Sequence, residues 1–434
     1  MFKATLAIWL SRSVNLITQV APGELRPALW LTLKAFLLLF AYYQLKPLRE
    51  ALILSEHDAT IRSYATAIQA LVLFLLMPLY AYLVRHLGTQ RMFSGVLVVA
   101  VISLALFWLG HGLQLPVAAP FYIWLGIFNV FIIAQFWAEC AAYYQPEAGK
   151  RLFPLIAAGA TVGGLLGAVS AHWVFIVSGV GGAFAVAISG YVAVWQTPRP
   201  ISCKVAQASA DRSVDAKQHW FRGLNHLLLN PYLMLIALFV LLLNTGNSLG
   251  EYILARWVEL QYSGADQIGA FYGGFYSWVN FATVLCQLFL VSRMIRWLGV
   301  SSALLLVPCL MLGGYLTLFF LPLFWLTYLY KVAENSLDYS LQNTLRHTLF
   351  LPLSGVQLYE GKAVIDTIFW RLGDLIQLVI VLLGSHWLLL DLSGYLLINV
   401  GLALVWIWIC LRLQRHIALL SADLSRRGAA DPGA

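Results

Sequence analysis

The stretch AIQALVLFLLMPLYAYL, from Ala67 to Leu83, holds no charged residue and is close to the length a helix needs to cross the hydrocarbon of a bilayer. Ala303 to Pro322 repeats the pattern, and similar runs recur along the whole chain. Only helices and closed barrels satisfy their backbone in lipid, and a barrel would show alternating segments of about 10 residues rather than continuous apolar runs. The spans therefore read as helices. Composition agrees: of 434 residues 61% are hydrophobic and 11% charged, and the mean hydropathy is +0.80. A soluble domain carries about 25% charged residues, so a soluble fold is excluded.

Working outward, the hydropathy places six spans at 28–54, 64–84, 92–110, 119–141, 152–175 and 178–196. Six more follow at 229–254, 268–291, 300–320, 322–348, 363–384 and 387–411. The stretch between the two sets carries Arg199, Lys204, Asp211, Arg212, Asp215, Lys217 and Arg222 and reads as a solvated linker. The expected organisation is a six-helix bundle over 1–196 with an amphipathic lead-in, a cytoplasmic linker over 197–226, a second bundle over 227–412 and a cytoplasmic tail over 413–434. The apolar part of the lead-in, Ala7 to Leu10, is short and lacks a small-residue cleavage site, which argues against a cleaved signal.

The net charge of +8 is explained by the loops. With the linker in the cytoplasm, Arg85, Arg91, Lys150, Arg151, Arg293, Arg296 and Lys362 share its side, whereas the opposite loops hold little more than Arg62. That asymmetry puts both termini in the cytoplasm. Nucleic acid is therefore not an expected partner. The five cysteines show no CxxC spacing, and four lie in apolar runs, so neither a metal site nor a disulfide framework follows.

Two short strings recur at nearly one spacing. Arg85-His86-Leu87-Gly88 returns as Arg296-Trp297-Leu298-Gly299 after 211 residues, and Gly149-Lys150 as Gly361-Lys362 after 212. Parallel halves of this kind are a transporter architecture.

An ionisable side chain within a span costs several kcal/mol, so each is a candidate functional residue. In the first span Lys46, Arg49 and Glu50 share one face with Tyr42, beside a helix-loosening Pro47. Either Lys46 and Glu50 neutralise each other, or the face binds an anion. In both cases Arg49 is left to recognise phosphate or carboxylate. In the fourth span Gln135 and Glu139 share a face, and Glu139 can either serve transport or pair with Lys150 or Arg151. In the seventh, Asn244, Asn247 and Glu251 form a stripe with Gly246 and Gly250, facing either a pathway or an interhelical hydrogen-bond cluster. The tenth span holds Lys331, Glu334 and Asp338 together with Asn335, Gln342 and Asn343. The eleventh holds Asp366, Trp370 and Asp374 with Arg371 beside them.

Among these, Lys46, Arg49, Asn247, Glu251, Lys331 and Arg371 are the expected substrate contacts, and Glu50, Glu139, Glu334, Asp338, Asp366 and Asp374 the expected proton-coupling or gating groups. The acids outnumber the cations. Two functions follow from this set. One is exchange of an anionic, nucleotide-like or phosphorylated solute. The other is a proton-coupled permease for a siderophore, peptide or sugar derivative, with Glu251, Asp338 or Asp374 carrying the proton and Tyr42, Tyr43, Trp278 and Trp370 as aromatic contacts or interface anchors. No HExxH, GxSxG or Walker-A string is present, which argues against an enzyme.

Several longer strings resemble the ATP:ADP antiporter family of bacteria and plastids, which is distantly major-facilitator-like. They are Tyr42-Tyr43-Gln44-Leu45-Lys46-Pro47-Leu48-Arg49-Glu50-Ala51-Leu52, Phe136-Trp137 with Gly149-Lys150-Arg151-Leu152-Phe153, and the glycine-rich span from Ala157 to Gly167. The second half adds Tyr339-Ser340-Leu341, Gly361-Lys362-Ala363 with Ile365-Asp366, and Arg371-Leu372-Gly373. The resemblance implies an all-α polytopic fold of about twelve helices in two six-helix pseudo-repeats, in a bacterial inner membrane. It further implies nucleotide transport by a monomer without cofactor, with a small-molecule substrate, a counter-substrate or protons, and membrane lipid as its partners. It implies roles for Arg49 and Glu251, which match a basic position of the first span and an acidic one of the seventh. Two positions depart: Leu125 stands where the family has an acid, and Asp374 where it has a lysine after Arg-Leu-Gly.

Overall fold

A computed structural model describes residues 24–198, 227, 230–353 and 361–430. The expected lead-in and nearly all of the expected linker lie outside the described residues. Each expected span falls on helix. The first four are α1 (Leu25–Glu56), α2 (Ala59–Leu87), α3 (Thr89–Gly112) and α4 (Ala118–Tyr143). The fifth and sixth are continuous in α5 (Pro146–Gln196), broken at Gly179 by a positive φ of 61°. Next come α6 (Pro231–Gln261), α7 (Ala265–Leu285), which continues through a π-helical turn into α8 (Val291–Ala303), and α9 (Leu306–Phe320). The tenth span is α10 (Phe324–Leu337), a π turn at Asp338–Gln342 and α11 (Asn343–Thr348). The eleventh has a π turn at Ile365–Phe369 ahead of α12 (Trp370–Leu382), and the last is α13 (Leu392–Ala430), which carries helix on into the expected tail.

The helices sort into two compact units, neither contiguous in sequence. Unit 1 comprises Met1–His57, Leu71–Ser213 and Tyr262–Asn280, and unit 2 the remainder. The first turns of α2 thus belong to unit 2, and most of α7 to unit 1.

In unit 1, α1 lies along α5, and the glycine-rich string explains how. A Cβ on Gly159 would sit 2.6 Å from the Thr32 carbonyl oxygen, and one on Gly167 2.7 Å from that of Phe40. Small residues let helix backbones approach this closely, which is how helices gain packing energy where lipid removes the hydrophobic drive. Phe121 and Phe184, both fully buried, pack with ring centroids 5.5 Å apart and planes tilted by 60°. In unit 2, α6 packs against α12 and α13, and α9 against α13. Leu75, Val177 and Phe320 are more than two-thirds exposed, as expected of side chains that meet lipid.

The repeated Arg-x-Leu-Gly string has a structural counterpart. Gly88 has φ 75° and ψ 157°; Gly299 has φ 74° and ψ 164°. Both lie in a region open essentially to glycine alone. The two strings therefore end their helices in the same way.

Candidate functional site

The charged side chains of the spans gather into three clusters. The first lies in unit 1 on α1. Lys46 is buried, and its ammonium stands 4.0 Å from the centroid of the Tyr276 ring and 5.4 Å from that of Tyr43. Tyr43 in turn donates to Asn280 Oδ1 at 3.1 Å and packs edge-on against Tyr276. Arg49 lies over Tyr122 with Cζ 4.7 Å from the ring centroid, and its Nε donates to Glu50 Oε1 at 3.0 Å. The side chain of Glu50 is fully buried, whereas that of Arg49 keeps 16% exposure. Among the described residues the terminal nitrogens of Arg49 have no hydrogen-bond partner. The expectation that Arg49 is left over from a Lys46–Glu50 pair is corrected, because Arg49 itself holds Glu50.

Further along unit 1, Glu139 is not held by the loop cations. It pairs with Lys34 of α1, whose ammonium lies 2.8 Å from Oε2 and also over the Phe93 ring. Arg151 instead meets Glu24 at 3.2 Å. A buried partner on an adjacent helix offsets desolvation better than a loop side chain that must give up water. Lys34 was missed in the sequence, although the same cost argument applied to it as a charge inside the first span.

The second cluster lies in unit 2 around Lys331, which is fully buried. Its Nζ is 2.7 Å from Glu334 Oε2, 3.4 Å from Glu251 Oε1 and 3.3 Å from Asn247 Oδ1. Tyr315 of α9 donates to both Glu334 oxygens, at 3.3 and 3.1 Å. Asn335 donates to Glu251 Oε1 at 2.8 Å, and Arg62, from the α2 turns that belong to this unit, stands 3.7 Å from Glu251 Oε2. Gly250 makes room for the cluster: a Cβ there would lie 2.9 Å from Lys331 Nζ. The sequence brought Asn247, Glu251, Lys331 and Glu334 forward but not Arg62, which was assigned to a loop because the helix start at Ala59 was placed too late.

The third cluster centres on Asp374. Its Oδ1 accepts from Asn244 at 2.8 Å and Ser248 at 3.1 Å, and its Oδ2 lies 3.4 Å from Arg371 Nη1. The seventh-span stripe is thus divided, Asn244 serving Asp374 while Asn247 and Glu251 serve Lys331. Asp338 lies one turn beyond Glu334 without a hydrogen bond to the Lys331 cluster, and Asp366 stands apart from all three. Asp338 is half-buried and has no hydrogen-bond partner among the described residues, and Oδ1 of Asp366 is buried without one. No group of three or more His, Cys, Asp or Glu able to hold a metal ion occurs among the described residues.

Each of these clusters contains a cation, and the relatives are ADP,ATP carriers by name. Over 355 residues the chain is 23% identical to ADP,ATP carrier protein 1 of Chlamydia muridarum, covering 71% of this chain and 66% of that protein. It is 25% identical over 164 residues to ADP,ATP carrier protein 1 of Chlamydia pneumoniae, covering 33% of this chain and 32% of the carrier. The chain thus spans less than two thirds of the length of the relatives it matches. No known family profile matches it. Among solved structures, the nucleoside transporter NupG superposes with a TM-score of 0.64 at 12% identity, covering 89% of this chain and 98% of that one. A bacterial homologue of the iron transporter ferroportin superposes with a TM-score of 0.65 at 14% identity, covering 90% and 99%. These likenesses show the fold. The chain is thus similar in sequence to ADP,ATP carrier proteins and shares the multi-helix fold of these transporter structures.

Proposed function

We propose that this protein is a secondary transporter that exchanges an anionic, nucleotide-like or phosphorylated solute by alternating access. Arg49 carries the reading. Its guanidinium is fixed by Tyr122 on one side and by Glu50 through Nε, while the terminal nitrogens keep their hydrogen-bonding capacity. A planar fork held in place with its outer donors available suits bidentate recognition of a phosphate oxygen pair. Lys46, one helical turn away, adds a second positive charge that lies over the Tyr276 and Tyr43 rings.

In this reading Lys331, Arg371, Asn247 and Glu251 are further solute contacts, and the carboxylates Glu50, Glu139, Glu334, Asp338, Asp366 and Asp374 gate or balance the pathway. The basic loops orient the chain with both termini in the cytoplasm of a bacterial inner membrane, where it acts as a monomer. Alternating movement of two halves around a fixed site is the mechanism this fold uses.

The decisive experiment is counterflow in proteoliposomes. Uptake of labelled ATP should require ADP inside the vesicle and should not respond to an imposed proton gradient. Gradient-driven uptake of an unrelated solute with no nucleotide exchange would instead establish the proton-coupled permease.

A further inference from the structure

The three side chains that grip Lys331 leave an anion no way to take that cation without a change of charge elsewhere. Glu334 on α10 is buried, and what faces it can be named element by element. From its own helix come Lys331 at 2.7 Å, Tyr330 one turn before and Asp338 one turn on. From α9 comes the Tyr315 hydroxyl at 3.1 Å. From α6 come Gly250, whose Cβ would lie 3.3 Å from Glu334 Oε2, and Glu251, which shares Lys331 at 3.4 Å. From the first turns of α2 comes Arg62, on the far oxygen of Glu251. Lys331 and Arg62 balance Glu251 and Glu334, so the network is neutral when all four are ionised.

An anionic solute that binds Lys331 must draw the ammonium away from Glu334. The carboxylate would then be buried with tyrosine hydroxyls and other acids as its company, at a cost of several kcal/mol. We infer that Glu334 takes up one proton as the anion engages Lys331, so that solute binding in unit 2 is proton-linked. The step balances: the Glu334 carboxylate gains a proton from water, the Lys331 ammonium keeps its protons and transfers its ion pair to the solute, and the charge of the network with one anionic group bound returns to zero. Tyr315 can then turn its hydroxyl to accept from the new acid, because a hydroxyl serves as donor or acceptor. This rests on the exchange reading and sharpens it. Each solute carries its proton in either direction, so exchange remains insensitive to a proton gradient while affinity depends on the absolute pH.

Two measurements test it. The purified full chain is titrated with ADP by calorimetry in buffers of different ionisation enthalpy. Close to one proton should be taken up per ADP, and affinity should weaken as pH rises, by up to tenfold per pH unit. In Glu334→Gln the uptake should vanish and the affinity should lose its pH dependence. Binding to the wild-type chain with no proton uptake overturns the inference. The second measurement needs no ligand: Lys331→Gln should lower the unfolding temperature or abolish expression, and Lys331→Gln with Glu334→Gln should restore it. Failure of the double variant to rescue the single one also overturns the inference. If ADP does not bind at all, the exchange reading falls, while the rescue still decides whether Glu334 is the charge that Lys331 holds in balance.

Discussion

The cations of the two units are kept in the membrane by different means. In unit 1, Lys46 and Arg49 rest on the faces of Tyr276 and Tyr122, and Glu50 accepts from the Nε of Arg49. In unit 2, Lys331 is enclosed by two carboxylates and an amide oxygen, with no exposure. An aromatic face lowers the cost of a buried cation without cancelling its charge, whereas a carboxylate cancels it. The first arrangement leaves a cation ready for a ligand. The second stores it in a balanced network that a ligand must disturb. Removing a cation from each should therefore do different things.

The largest effect is expected at Lys331. Substituting it by Gln leaves Glu251 and Glu334 with Arg62 as their cation, and losing one partner of a buried ion pair costs about 3–5 kcal/mol. The thermal unfolding midpoint of the purified protein should fall clearly. At Arg49 the balance shifts from stability to function. Gln in its place can still donate to Glu50, but a charged hydrogen bond to the solute, about 1.5–3 kcal/mol, is lost. Labelled nucleotide uptake should drop to background with the unfolding midpoint close to that of the wild type. Equal loss of stability in both variants would erase the distinction between the units.

That contrast could be read from the sequence only in part. Hydropathy was enough for the helices, and the cost of intramembrane charge for Glu251, Lys331 and Glu334, because helical spacing puts residues of one span on a shared face. Partners contributed by another helix were not readable. Nothing local joins Lys34 to Glu139, 105 positions apart, or Tyr315 to Glu334 across a turn. Tyr122 and Tyr276 were not singled out, since a tyrosine in a span gives no local sign that a cation from another helix lies over its ring. The repeat was stronger in the backbone than in the residues, since the two strings agree in few side chains but their glycines take nearly the same φ and ψ.

The glycines give a control in which the units should behave alike. No atom lies within 4 Å of a Cβ built on Gly88 or on Gly299, so alanine at either meets open space and only the backbone conformation is penalised. That penalty is about 1–3 kcal/mol in this region of φ and ψ. Gly88→Ala and Gly299→Ala should lower the unfolding midpoint by similar amounts. A large loss at one and none at the other would remove the repeat from the argument.

The smallest expected effects fall on the groups that hold the cations rather than on the cations. Replacing Tyr276 by Leu removes the face beneath Lys46, a contact of about 0.5–2 kcal/mol. The ammonium then gains freedom, so the apparent KM for uptake should rise several-fold and be restored by Tyr276→Phe, which keeps the face. Tyr315→Phe removes the hydroxyl donated to Glu334, a hydrogen bond to a charged group worth about 1.5–3 kcal/mol at most. Lys331 still holds that carboxylate, so the loss should fall at the low end of the range and appear first in the pH dependence of ADP affinity. The difference in readout is what separates the two arrangements. A rise in KM for Tyr276→Leu without a change in its pH profile, and a shifted profile for Tyr315→Phe, would show one unit presenting its cation and the other releasing it. Identical profiles in the two variants would leave both clusters performing the same task.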